Sequence, residues 1–217
     1  MKAVLISIQP KWCELIASGK KTVEVRKTKP KIDVPFRCYI YCTKAKEHFS
    51  IGGGVYATSD TLYRLPIGEI KFGDGFELMG DWSGQYDESN FLNGKVIGEF
   101  VCDETTPLFN VATTSWSLLA GNVHEYAKAL VRMARLTEEE MHSYAKRKNC
   151  YAWHISDLVI YDKPKELSEF YVWKKCNCCR DTGYESTACC YDEDCRVPAV
   201  ITRPPQSWCY VEEGGKQ

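Results

Sequence analysis

The chain has 217 residues, enough for one domain with additions and for a core that needs no staples. Hydrophobic residues make up 44% and charged residues 26%, as in an ordinary globular protein, and a net charge of −1 excludes a chain that coats nucleic acid by bulk charge alone. No apolar run approaches the roughly 20 residues that span a bilayer, and "MKAVLISIQPKW" reads as a first strand rather than a signal peptide, so no membrane contact and a cytoplasmic location are expected.

"AVLISI" is apolar enough for a central strand. Pro10 stands where a helix starts without losing a needed donor. In "PKWCELIAS" Trp12, Leu15 and Ile16 share one helical face, and Gly19 ends the helix as a C′ residue. "KTVEVRK" and "RCYIYCTK" are the next strands, joined by the proline-containing turn "KPKIDVP". Residues 46–94 lack a sustained period and read as a long excursion with short strands. "GKVIGEFVCDE" is a strand and "VHEYAKALVRMARL" a helix. Thr137 is an N-cap for "EEEMHSYAKRK", with Glu140 completing a capping box. "CYAWHISDLVIYD" is a strand region, "KPKELSEF" a turn with a helical turn, and "SWCYVEE" a closing strand. Many short strands with a few helices predict an α+β fold, a small mixed β-barrel with flanking helices.

The stretch "GKKTVEVRK" carries the densest charge. Strand alternation puts Lys21, Val23 and Val25 on one face, and Thr22, Glu24 and Arg26 on the other. Two readings are open. One is a half-exposed strand with a solvated charge ladder, since surface ion pairs contribute little. The other is a ligand site. From Lys20 to Lys31 there are six basic residues and one acid, Glu24. Such a patch attracts phosphate, and Arg26 adds bidentate geometry. Trp12, Phe36, Tyr39 and Tyr41 are candidate stacking surfaces, although core packing accounts for each of them singly.

"SIQPKWCELIASGKKTVEVRK" resembles the opening of ASCH domains, a branch of the PUA-like superfamily. The family signature G-x-K-x-x-E-x-R stands here as Gly19, Lys21, Glu24 and Arg26. "GKVIGEF" resembles the later core strand. "YAWHISDLVIYDKPKELSEF" and "RPPQSWCYV" resemble the closing segments of bacterial and phage-type members. The resemblance implies a barrel with a cleft beside the first helix, and recognition of RNA or a modified nucleotide. Lys21 and Arg26 would hold a phosphate or base edge, and Glu24 would accept from an exocyclic amine or orient Arg26. Trp12 and His154 are further candidates for the same cleft. A second reading is a small hydrolase acting on a nucleoside or RNA, of amidohydrolase or ribonuclease type. Some similar small proteins are amidohydrolases whose motif places a threonine nucleophile where this chain has Glu24, which cannot serve as that hydroxyl. A Lys21–Glu24 acid–base pair is the remaining catalytic candidate, and enzyme activity stays open.

Twelve cysteines are many for a reducing compartment, and six fall in "CNCCRDTGYESTACCYDEDC". Cys176 and Cys179 form a C-x-x-C knuckle, with Cys190 and Cys195 as its expected partners and Cys178 and Cys189 as rival ligands. A structural zinc ion is expected there, with disulfides, unligated thiols or a disordered insertion as alternatives. By comparison with the family the segment resembles an insertion. The expected organisation is an ASCH-like domain over residues 1–175 and 196–217, with residues 176–195 as a cysteine-rich insertion. That insertion supports a third reading, a zinc-stabilised module that binds a protein partner.

Overall fold

The structure is a computed structural model. It describes residues 3–45, 49–51, 54–56, 60–65, 68–73, 77–78, 90–108, 122–146, 148–175 and 196–213. The cysteine segment 176–195, Gly52 and Gly53 lie outside the described residues.

Strand β1 (Ala3–Ile8) is buried along its whole length, as its unbroken apolar run requires. Val4, Ile6 and Ile8 enter one core cluster, and Ala3 and Leu5 enter another on the opposite face. Helix α1 (Pro10–Ala17) follows, with proline in its first turn and Gly19 just beyond it at φ +70°. A φ of that sign favours glycine, which explains the residue. The helix provides the crossover that a parallel strand pair needs. It returns the chain through β2 (Val23–Arg26) to β3 (Phe36–Cys42), which lies parallel to β1.

Residues 49–78 contribute the short strands β4 (Phe49–Ile51), β5 (Gly54–Tyr56), β6 (Leu62–Arg64), β7 (Ile70–Phe72) and β8 (Glu77–Leu78). They pair as a three-stranded sheet, β4-β5-β8, and a hairpin, β6-β7. Strand β9 (Val96–Cys102) joins β3, then β10 (Thr105–Leu108) follows. Helices α2 (Asn122–Met133) and α3 (Glu138–Ala145) come next, the second with the expected Thr137–Glu140 capping box. The expected single strand region at 150–162 is two strands, β11 (Cys150–His154) and β12 (Ser156–Lys165). They belong to different sheets, so the chain changes sheet at Ile155. A 3-10 turn over Leu167–Glu169 leads to β13 (Phe170–Lys175), β14 (Arg196–Val200) and β15 (Trp208–Glu213).

The large sheet has seven strands in the order β12-β9-β3-β1-β15-β13-β14. A smaller sheet, β10-β11-β2, stands apart from it. The α+β class holds, but the order is linear, with no pairing between β12 and β14 among the described residues. In place of the expected small mixed barrel, the described residues form one seven-stranded sheet and three smaller ones. Gly98 marks a close approach of β9 to β12: a Cβ there would stand 2.4 Å from the Val159 carbonyl. Val23 and Val25 of β2 pack with Leu130, Val131, Met141 and Ala152, which docks the small sheet on α2 and α3. Trp153 on β11 is fully buried between Phe36 and Trp208 and binds the small sheet to the large one. Lys175 and Arg196 are register partners, so the two ends of the cysteine segment leave from adjacent positions on a β13–β14 ladder. No described helix is long and apolar enough to cross a membrane.

Candidate functional site

The alternation of β2 sorts its side chains as the sequence predicts. The valines enter the core against α2 and α3, while Glu24 and Arg26 face the other way. Lys21 departs from that pattern. It precedes the strand, in a loop pinned by Lys21 N donating to the Leu15 carbonyl and Thr22 N donating to the Met133 carbonyl. Its side chain therefore reaches the Glu24 side. Lys21, Glu24 and Arg26 are 3%, 7% and 8% exposed, which excludes a solvated charge ladder.

Glu24 stands between the two cations. Its Oε2 lies 3.2 Å from Lys21 Nζ, and its Oε1 lies 3.1 Å from the Arg26 guanidinium. Lys21 Nζ also donates to the Ala134 carbonyl at 2.7 Å, and Arg26 donates to the Ser7 carbonyl at 2.6 Å. These bonds tie β2 to the turn after α2 and to the end of β1. Desolvating three charges is tolerable only with close pairing of this kind. Arg26 Nε is buried without a hydrogen-bond partner. An ammonium has three donors and a carboxylate about four acceptor sites. One lysine donor and several carboxylate lone pairs are thus left over beside one another.

The trio forms one wall of a cavity of about 760 Å³. Trp12 of α1 lines it, half-buried, with Lys21 Nζ 5.1 Å from its ring centroid and Lys11 Nζ at 4.7 Å. Helix α3 supplies Glu139, Glu140, Ser143 and Tyr144 on the other side. The Tyr144 hydroxyl meets the Arg26 guanidinium; burial pushes its pKa up, and the Arg26 charge pulls against that rise. Glu140 is held by its cap, with Oε2 accepting from Thr137 N at 2.9 Å, and its other oxygen lies 3.8 Å from Lys11 Nζ. Ser7, Gln9, Thr43 and Gln206 add further polar lining. The loop carrying Gln206 is fastened to β1 by Ser7 Oγ donating to the Pro205 carbonyl at 2.6 Å.

Of the expected ligand residues, Lys21, Glu24, Arg26 and Trp12 line this cavity together. His154 does not line it. On β11 it pairs with Val23 while Trp153 pairs with Glu24, so alternation points it away from the trio. Its Nδ1 lies 2.7 Å from Asp103 Oδ1 at the surface. Phe36, Tyr39 and Tyr41 are core residues. Tyr144, Ser143 and Glu139 also line the cavity and are not among the residues expected from the sequence. With Met141 and Ala145 of α3 buried, Glu140, Ser143 and Tyr144 form an i, i+3, i+4 stripe of two polar residues and one aromatic, a signal visible in "EEEMHSYA". Cys176, Cys178, Cys179, Cys189, Cys190 and Cys195 lie outside the described residues. Among the described residues no group of three or more metal-ligating side chains is assembled.

Residues 6–108 match the ASCH domain family model. The crystal structure of the ASCH protein from Zymomonas mobilis is 18% identical over 97% of this chain and 87% of that one, with a TM-score of 0.47. A serine-to-alanine mutant of that protein gives 17% identity over 97% and 88% of the two chains, with a TM-score of 0.47. A tyrosine-to-phenylalanine mutant gives 19% identity over 77% of each, with a TM-score of 0.43. No curated protein matches the chain.

Proposed function

We propose, from an ASCH domain over residues 6–108, that this protein binds RNA or a modified nucleotide by taking one base into the cavity beside α1. The family is generally linked to RNA binding. The observation that carries the reading is the convergence of Lys21, Glu24 and Arg26, all buried, on one hollow whose volume of about 760 Å³ lies within the range of small-molecule sites. Trp12 and Tyr144 offer ring surface to a planar ligand, and the leftover lysine donor and Glu24 lone pairs suit the adjacent acceptor and donor of a base edge. The charge balance favours a base over a phosphate inside. Lys21 and Arg26 supply two positive charges, against the negative charges of Glu24, Glu139 and Glu140 in the same lining.

The test is titration of single nucleosides and a short mixed-sequence RNA into the protein and its variants. Trp12→Ala removes a half-buried ring without unpairing a charge. It is expected to weaken binding by about five- to a hundredfold, the usual value of one stacking interaction. Lys21→Ala and Arg26→Ala are expected to weaken it as well. If all three variants bind like the parent, the cavity is not the ligand site.

The expected zinc ion is a separate proposal, resting on cysteine spacing. Cys176, Cys179, Cys190 and Cys195 would hold it, with Cys178 and Cys189 as alternates. Its role would be to hold the insertion together and not to catalyse, since by comparison with the family the segment resembles an insertion before the closing strand.

A further inference from the structure

On sequence grounds the whole basic run Lys20–Lys31 is a candidate for phosphate, but the structure divides that run. Lys21 and Arg26 are buried and paired with Glu24. Lys27 and Lys29 lie outside the cavity, beyond the end of β2. A second basic pair, Lys146 and Lys148, comes from the link between α3 and β11. Antiparallel pairing of β2 with β11 sets Arg26 opposite Tyr151, which brings the two basic segments to one end of the small sheet. Ring contacts place Lys27 and Lys29 beside α3 and β11 at this end. Lys27 Nζ stands 5.0 Å from the Tyr144 ring centroid, and Lys29 Nζ stands 5.9 Å from that of Tyr151. The Cys150 thiol, raised in pKa by burial, also feels the opposing Lys27 charge.

We infer that Lys27, Lys29, Lys146 and Lys148 form a phosphate-binding surface for single-stranded RNA at the cavity rim, holding the strand while one of its bases enters the cavity. Lys29, Lys146 and Lys148 are exposed and Lys27 is partly so. Among the described residues none of the four is in an ion pair, whereas Lys11, Lys21 and Arg26 at the cavity all are. Surface cations that neutralise phosphates release the counterions condensed on a polynucleotide, which is the main source of affinity for its backbone. Tyr144 connects the two parts, since it lines the cavity and carries Lys27 on its ring. A strand is favoured over a duplex because a base that enters the cavity must be unstacked and unpaired. The inference rests on the base-binding reading of the cavity and adds the class of ligand: a strand, not a free nucleoside.

The test compares a fluorescent mixed-sequence RNA of about 12 nucleotides with a mononucleoside, each titrated from low to moderate KCl. The proteins are the parent, the fourfold variant Lys27→Ala/Lys29→Ala/Lys146→Ala/Lys148→Ala, and Trp12→Ala. Circular dichroism and a thermal melt check that the fourfold variant is folded, which is expected because all four side chains reach solvent. That variant is expected to bind the strand about tenfold or more weaker near 0.1 M salt, with a salt slope lower by about 0.7 for each phosphate no longer neutralised. Its mononucleoside binding is expected to be unchanged. A fourfold variant with the parental strand affinity and slope overturns the inference and leaves the cavity reading intact. Parental strand binding by Trp12→Ala, with the fourfold variant weakened, overturns the cavity reading instead. Competition by polyglutamate as strong as that by RNA also overturns the inference, since the surface would then exchange any polyanion.

Discussion

At the scale of the residue, the buried trio sets stability against use. Glu24 is the carboxylate paired with both Lys21 and Arg26. Glu24→Ala is expected to destabilise the fold by about 3–5 kcal/mol, because it strands two buried cations. Urea unfolding with an unchanged denaturant slope would measure it. The triple variant Lys21→Met/Glu24→Leu/Arg26→Met removes all three charges together. It is expected to stay within about 2 kcal/mol of the parent, since apolar replacement of a whole buried ion cluster is often neutral, yet to lose ligand binding. A triple variant as unstable as Glu24→Ala would show that the trio is retained for folding. Glu213 provides a pH-dependent case. Burial raises its pKa, but hydrogen bonds from Lys165 and Tyr39 outweigh this, and the net shift is downward from 4.5. A carboxyl lowered by folding contributes stability above its unfolded pKa, and that contribution is lost as the pH falls through the folded value. The stability difference between the parent and Glu213→Gln is thus expected to be full near neutral pH and to shrink below about pH 4.5.

At the scale of the element, α3 matters most because it is both a packed helix and a cavity wall. Met141 and Ala145 hold it to β2 and β11, while Ser143 and Tyr144 face the hollow. Its first turn depends on the capping box, with Glu140 N donating to Thr137 Oγ1 at 3.1 Å and Thr137 N donating to Glu140 at 2.9 Å. Thr137→Ala is expected to lower stability by about 1 kcal/mol. It also loosens the first turn that holds Glu140 in the cavity wall, so ligand affinity is expected to fall, which titration of the same RNA would detect. A variant with the lowered stability and the parental affinity would separate the cap from the site. The cap is legible in "TEEE", because capping is local chemistry. The cavity role of the same helix is not, because it depends on which side of α3 meets β2.

At the scale of the whole molecule, residues 176–195 connect two paired strands in sequence. Since Lys175 and Arg196 are register partners, a two-residue Asn-Gly turn in place of 176–195 is expected to close β13 onto β14 and preserve the fold. Elemental analysis is expected to find about one zinc per full-length chain and none in the shortened one. Equal metal content in the two would remove the cysteine segment as the zinc site. Strands β13 and β14 are not legible in the sequence, because β14 is exposed along most of its length and both flank a polar segment, so no clean alternation marks them.

The amino-acid order alone is enough to read β1, α1 with its proline start and glycine stop, β2, β3, β9, α3 with its cap, and the signature Lys21, Glu24 and Arg26. Those features are written in local periodicity, end chemistry and a short spaced motif. It took the folded chain to show that the described strands form a seven-stranded sheet beside smaller ones, that Lys21 joins Glu24, and that His154 turns away. The fold alone brought Tyr144 to Arg26. The physical reason is that side-chain direction follows from strand register and helix docking, which link residues more than a hundred positions apart and leave no mark in the spacing of either segment.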